Sequence, residues 1–187
     1  ALDFILPFEK YKITAGAKVS FTNTRNGINY DTSDPTLVQD DYFRYKEQIY
    51  ALYADYSREF SERFSMQLGL RMEHTRTTGI SEAKDTEDKH DYTRLFPTVY
   101  LLYSPTDGHA LNFSFSNRIS RPSQNMVNPF PFYQNKYTYA CGREDLKPSY
   151  TYNAELGYTL KNNFNVSAYY SYSDDVFFQV VDLDAET

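Results

Sequence analysis

Alternation of polarity with a period of two, repeated in segment after segment, restricts the fold of this chain more than any other feature. Between Ile13 and Phe21, the residues Ile13, Ala15, Ala17, Val19 and Phe21 take one set of positions, and Thr14, Gly16, Lys18 and Ser20 the other. Successive side chains of a strand point to opposite faces, so this pattern makes one apolar face and one polar face; a helical repeat would mix the sets. Phe64 to His74 repeats it, with Phe64, Met66, Leu68, Leu70 and Met72 against Ser65, Gln67, Gly69, Arg71 and Glu73. The same holds for Leu111, Phe113 and Phe115; for Tyr152, Ala154, Leu156, Tyr158 and Leu160; and for Phe164, Val166, Ala168, Tyr170 and Tyr172. Tyr50, Leu52, Ala54 and Tyr56 oppose a mixed face, and Leu95, Val99, Leu101 and Tyr103 follow with Pro97 interrupting. With a short first strand at Leu2 to Leu6, the expectation is an all-β chain, an antiparallel up-and-down meander of about eight strands with no helix.

The connections alternate in length. Short turns fall around Phe8 to Lys10, Ser61-Glu62-Arg63, Pro105-Thr106-Asp107-Gly108 and Lys161-Asn162-Asn163, and long ones at about Arg25 to Asp41, Arg76 to Asp91 and Ser120 to Ser149. Short turns on one edge, long loops on the other and alternating faces are the plan of an outer-membrane barrel. A soluble sandwich also alternates, but its strands are typically ~5 to 6 residues, shorter than several here. A soluble lipocalin-like barrel would reverse the faces, with apolar residues inside. The polar face carries Gly16, Gly69 and Gly157 with isolated charges, unlike the dense Lys/Glu cover of a soluble sheet.

Composition narrows the classes further. Aromatic residues make up 18% of the 187 residues, as 19 Tyr and 14 Phe, and tyrosine, with an apolar body and a polar tip, suits an interface. A net charge of −6 argues against a nucleic-acid surface. The mean hydropathy of −0.66, with no apolar run near the ~18 residues a spanning helix needs, excludes a helical membrane protein and leaves strands open. The single cysteine, Cys141, cannot form an internal disulfide. Ala1 to Pro7 lacks the features of a signal peptide, so an export signal is expected upstream.

The charges Lys18, Glu47, Asp55, Arg71, Glu73, Arg94, Arg118 and Glu155 are expected on the inner face, paired across strands or meeting a plug or solute. Glu82 to Asp91 is a mixed-charge run without calcium-loop spacing, as are Asp31, Asp34, Asp40 and Asp41, and His74, His90 and His109 share no metal spacing. No nucleophile motif is present, and Ser116 with His74 is the one pair worth testing for catalysis. Neither an enzyme nor a cofactor is expected. The longest connection holds Phe130, Phe132, Tyr133, Tyr137 and Tyr139, stiffened by Pro122, Pro129, Pro131 and Pro148. Such a segment either folds over the mouth to touch a solute or packs on its own hairpin.

Several motifs then stand in a familiar order: Asn117-Arg118-Ile119-Ser120-Arg121-Pro122-Ser123, Asn128-Pro129-Phe130, Tyr137-Thr138-Tyr139 and Leu146-Lys147-Pro148. Ala15-Gly16-Ala17-Lys18, Tyr45-Lys46-Glu47-Gln48-Ile49-Tyr50-Ala51, Gly69-Leu70-Arg71-Met72-Glu73-His74-Thr75, Leu95-Phe96-Pro97 and Tyr152-Asn153-Ala154-Glu155-Leu156-Gly157-Tyr158 extend the likeness over roughly Asp3 to Phe178. In these the chain resembles the outer-membrane β-barrel family of TonB-dependent receptors, departing at Cys141 to Leu146 from the usual Gly-Asn-Pro-x-Leu. The resemblance implies a Gram-negative outer-membrane location and import of a scarce small solute through a plugged barrel of about 22 strands, energised by the TonB system. Residues 1–187 would be a partial barrel domain without plug or TonB-contacting segment, its partners being outer-membrane lipid, the plug of the same full-length chain, the TonB system and the solute. Lys18, Glu47, Arg71, Glu73, Arg118 and Glu155 would then face lumen and plug, and Phe130, Phe132, Tyr133, Tyr137 and Tyr139 would meet solute. A complete eight-stranded barrel and a soluble all-β binding domain are the alternatives. An isolated open sheet would have to close on itself, fold into a sandwich or associate with another copy.

Overall fold

The computed structural model describes residues 1–28, 41–81, 85–135, 138–161 and 163–181. Among the described residues ten strands form: β1 (Leu2–Pro7), β2 (Tyr11–Ile28), β3 (Asp41–Ser61), β4 (Phe64–Ser81), β5 (Thr86–Tyr103), β6 (His109–Ser120), β7 (Phe132–Asn135), β8 (Thr138–Ala140), β9 (Ser149–Leu160) and β10 (Phe164–Asp174). Eight of them make one antiparallel sheet in the order β1-β2-β3-β4-β5-β6-β9-β10, and β7 pairs with β8 separately. The meander is the one the alternation predicts. The sheet stays open: β1 and β10 lie at its two ends and do not pair. Its apolar face is not folded against itself, since Leu52, Leu70 and Leu156 are each about half exposed.

The short turns are where sequence chemistry places them, Asn162 lying outside the described residues. Gly108 has φ +79°, a conformation that a side chain makes costly, and its carbonyl accepts from the Lys161 N–H at 2.5 Å, tying two neighbouring turns together.

The apolar side of the sheet ends in aromatic rows along both edges. At the turn edge Tyr11 meets Tyr56 (centroids 5.8 Å apart), and Phe64 meets Phe60 (5.3 Å) and Tyr103 (6.4 Å). At the loop edge Tyr50 meets Phe21 (6.0 Å) and His74 (6.3 Å), and Tyr152 meets Tyr172 (6.3 Å). On β4 the rows are separated by the run from Phe64 to His74. At ~3.3 Å per residue and a tilt of ~40°, that run spans about 25 Å, the height of the apolar band of an outer-membrane barrel.

Two of the expected long connections are shorter than predicted. β2 continues to Ile28, β3 begins at Asp41, and β4 and β5 run to Ser81 and from Thr86, so most of Arg76 to Asp91 is strand. The polarity pattern stops at the loop-side aromatic row because a strand that leaves the bilayer no longer needs one apolar face. Its ladder continues on β-branched Thr75, Thr77 and Thr78 and on cross-strand pairs such as Arg76 with Asp91 at 2.7 Å. The remainder of Arg25 to Asp41, with Asp31, Asp34 and Asp40, lies outside the described residues, as do Glu82, Ala83 and Lys84. The expectation of no helix is also corrected: α1 (Gln124–Val127) is a single turn after Pro122, with the Asn128 N–H donating to the Gln124 carbonyl at 3.0 Å.

Candidate functional site

The pairing of β5 with β6 ends at Thr98 opposite Ser116, beside Pro97, whose ring nitrogen has no hydrogen to donate. Past that point the Asn117 side-chain amide donates to the Leu95 carbonyl at 3.4 Å. On the β9 side, Tyr150 stacks on Phe96 (6.5 Å, 21°) under the Arg94 guanidinium. The chain between β6 and β9, described over residues 121–135 and 138–148, then turns inward. It lies as a strap across the polar face of β3, β4 and β5 instead of standing out as a free loop.

Arg121 anchors the near end. Its Nη2 donates to Glu73 Oε2 at 2.5 Å and to Thr75 Oγ1 at 3.1 Å, and its Nε stands 3.9 Å from Glu47 Oε2. Glu73 also pairs with Arg71 on its own strand. Two arginines therefore face two carboxylates, and the cluster is internally neutral. Glu73 is 5% exposed and Thr75 fully buried. Burial by itself would lower the Arg121 pKa, but its hydrogen bond to Glu73 and the surrounding charges outweigh that and hold it above the ordinary value. Tyr45, whose hydroxyl donates to Glu47, is pushed well above the usual tyrosine range, first by burial and then by the Glu47 charge.

Further along, Pro122, Val127, Leu146 and Pro148 of the strap pack toward Phe43, Thr77, Gly79 and Tyr92 around a cavity of about 40 Å³. That holds a water or two and no solute. At the far end Thr86 Oγ1 donates to Glu144 Oε1 at 3.2 Å. The strap also closes on itself, with the Gly142 N–H donating to the Asn128 carbonyl and the Arg143 N–H to the Met126 carbonyl, both at 2.7 Å. Only glycine fits there, since a Cβ on residue 142 would run into the Met126 and Asn128 carbonyls.

The register puts Lys18, Glu47, Arg71, Glu73, Arg118 and Glu155 on one face of the sheet together with Gly16, Gly69 and Gly157. Glu47, Arg71 and Glu73 come together beneath Arg121, whereas Lys18 and Arg118 stand exposed elsewhere on that face. Of the aromatic cluster, Phe130 is buried at 8% exposure and is packing rather than contact surface. Phe132, Tyr133 and Tyr139 are exposed on the β7–β8 hairpin, with Tyr133 and Tyr139 5.5 Å apart, and Tyr137 lies outside the described residues. The segment thus covers part of the polar face and also forms a hairpin of its own. Ser116 and His74 do not meet: Ser116 is on the polar face, while His74 sits in the outer aromatic row, bonded to Thr93 at 3.0 Å. No cluster of metal-ligating side chains occurs among the described residues.

In the sequence Arg121 stands out only as part of the Asn117 to Ser123 motif, not as a wall contact. No signal in the strands points to it, since Arg71 on β4 and Arg94, directly opposite Glu73 on β5, already supply two cations to the face that carries Glu47 and Glu73.

The likeness to known proteins agrees with this geometry. Among solved structures, the ferric yersiniabactin uptake receptor FyuA from Yersinia pestis is similar over 93% of this chain and 27% of that chain, with a TM-score of 0.58 and 16% sequence identity. At that identity the likeness is one of fold, and this chain spans about a quarter of the receptor's length. No curated protein matches the chain in sequence. The model of the outer membrane protein beta-barrel family matches residues 1–187 throughout. An open meander with a band about 25 Å tall between aromatic rows and a family match from end to end lead to one assignment: the chain belongs to the outer membrane protein beta-barrel family, whose members reside in the Gram-negative outer membrane.

Proposed function

We propose that residues 1–187 are a barrel segment of a larger TonB-dependent receptor that imports a scarce solute, with the rest of the barrel and the plug supplied by other parts of the full-length chain. The observation that carries this reading is the open eight-stranded sheet, whose fold corresponds to 27% of an uptake receptor. What supports a segment over a complete eight-stranded barrel is that β1 and β10 are the two ends of the strand order and expose edges that another strand would cover. In this reading Lys18, Glu47, Arg71, Glu73, Arg118 and Glu155 face the lumen, where the plug sits. The strap narrows the mouth, and the exposed Phe132, Tyr133 and Tyr139 are its solute-contacting surface. No catalytic role is assigned to any residue.

The test is the apparent mass, in the outer-membrane fraction of the natural host, of the polypeptide yielding the tryptic peptide Leu95 to Arg118. A band several times 21.9 kDa supports the receptor. A band near that mass means a self-contained small barrel and ends the importer reading.

A further inference from the structure

β5 keeps its β4 partner along its whole length, from Thr86 opposite Ser81 to Tyr103 opposite Phe64, but β6 covers its other edge only from Thr98 to Tyr103. Pro97 accounts for the break, because the next donor needed on that edge is the hydrogen its ring nitrogen lacks. In an antiparallel strand the N–H and C=O of one residue point to the same side, and those of the next residue to the other. The Leu95 carbonyl points toward β6, since it accepts from the Asn117 amide. Thr93, Asp91, Lys89 and Glu87 therefore turn their backbone groups the same way, into the space that β6 leaves as it passes into the strap. Among the described residues nothing pairs with those groups there. The upper edge of β2 beside β1 is also open, but it borders the end of the sheet, whereas β5 lies inside the sheet between two strands of this chain.

We infer that the edge of β5 from Glu87 to Thr93 docks a basic, extended segment of a separate polypeptide, which joins the sheet as an added strand. The occupant follows from the chemistry of the edge. A row of backbone donors and acceptors at strand spacing is matched by another extended polypeptide, and by neither a lipid nor a compact solute. The edge stands on the loop side of the aromatic row formed by Phe21, Tyr50 and His74, beyond the hydrocarbon, where an extracellular polypeptide reaches it. Charge sets the sign of the partner. On the outer side Lys89 bonds Glu87 at 2.9 Å and Arg76 bonds Asp91 at 2.7 Å, so those groups balance. On the inner side Asp88 meets His90 Nε2 at 2.8 Å and Glu144 of the strap accepts from Thr86, and neither carboxylate pairs with a lysine or arginine among the described residues. An added strand gains from lysine or arginine at alternate positions on that inner side. A second copy of this chain does not fit: copies in one membrane point the same way, so their β5 edges would meet in identical parallel register, donor opposite donor. The site depends on the membrane placement of the belt and not on the import reading.

The experiment uses the full-length protein purified in detergent, with binding followed by calorimetry and by site-resolved hydrogen exchange. The probe is a short capped peptide of alternating threonine and lysine. Its control is the same peptide N-methylated at every residue, which keeps side chains and charge but has no backbone donors. The expected result is saturable binding that protects the amides of Glu87, Lys89, Asp91 and Thr93 and leaves those of Asp88, His90 and Tyr92, which face β4, unchanged. Lys89→Pro removes one edge donor without touching the β4 ladder, as an edge position tolerates, and should weaken binding about tenfold. Lys89→Ala keeps the N–H and loses only an exposed ion pair, so it should bind within about twofold of the wild type. A threonine–glutamate peptide should bind about fivefold more weakly than the lysine peptide. Absence of saturable binding, protection that does not alternate, or equal binding of the N-methylated peptide overturns the added strand. Equal binding of the glutamate peptide overturns the basic partner. Dimers of the full-length protein that disappear with Lys89→Pro would give the edge to a second copy and refute the inference. Should Lys89→Pro fail to fold by circular dichroism, the two lysine peptides decide on the wild type: tenfold weaker binding of the N-methylated one sustains the inference, and equal binding refutes it.

Discussion

β4 and β10 belong to the same sheet and carry the same alternation, yet they end in opposite states. On β4 the polar-face residues Glu73, Thr75 and Ser81 are 5%, 0% and 1% exposed, while every residue of β10 is exposed, including Tyr169 at 65%. The difference does not come from the strands, whose patterns are equivalent. Three sets of contacts converge on β4: two paired neighbours and the strap above, whose Arg121 reaches down between them. β10 has one neighbour, β9, and among the described residues nothing buries either of its faces. Alternation assigns a residue to a face; what lies across that face decides whether it is buried.

That contrast can be broken in measurable ways. In the membrane-inserted full-length protein, Val166→Arg on the apolar face of β10 should cost roughly 2 to 4 kcal/mol, while Ser167→Arg on its polar face costs near zero. Denaturant titration in lipid checks this, and equal effects would mean that the solvent-exposed face of β10 is not a lipid face. Gly142→Val forces the base of the strap apart against the Met126 and Asn128 carbonyls and should cost ~1 to 3 kcal/mol. Hydrogen exchange at the amides of Glu73 and Thr75 should then rise toward that of β10, erasing the difference between the two strands.

Arg121→Met removes one of two cations from buried Glu73. Because Arg71 remains, the expected cost is about 1.5 kcal/mol, below that of orphaning a buried charge. Alkylation of Cys141, the one cysteine of the chain and exposed on the strap, serves as a folding control that should stay unchanged while Thr75 loses protection. Tyr45→Phe is the smallest step, at about 1 kcal/mol. Because burial raises the Tyr45 pKa in the folded state, its contribution is complete below the unfolded tyrosine value of about 10 and is lost as pH climbs above it. The wild type should therefore show an alkaline loss of stability that Tyr45→Phe flattens, and an unchanged slope would place the titrating group elsewhere.

Within the bilayer band, eight strands, their order and their faces were legible because lipid on one side and polar surroundings on the other impose opposite requirements on successive residues. Above the band that constraint lapses, and the sequence places loops from about Arg25 and Arg76 where the strands run on to Ile28 and Ser81. The aromatic segment was legible as ordered from its prolines, but Phe130 and Phe132 look alike in sequence and differ between 8% and 59% exposure. A coupling between residues 121 and 73 leaves no periodic trace for a single sequence to show.

The sequence by itself determined which residues share a face, where the sheet meets lipid and where the short turns fall, since each follows from neighbours two to four positions apart. Only the tertiary structure decided that the strap turns inward, that Arg121 meets Glu73 and Glu47, and that the sheet remains open. Those outcomes rest on contacts between residues some 50 to 75 positions apart and on which surfaces find partners, and local alternation is equally compatible with either choice.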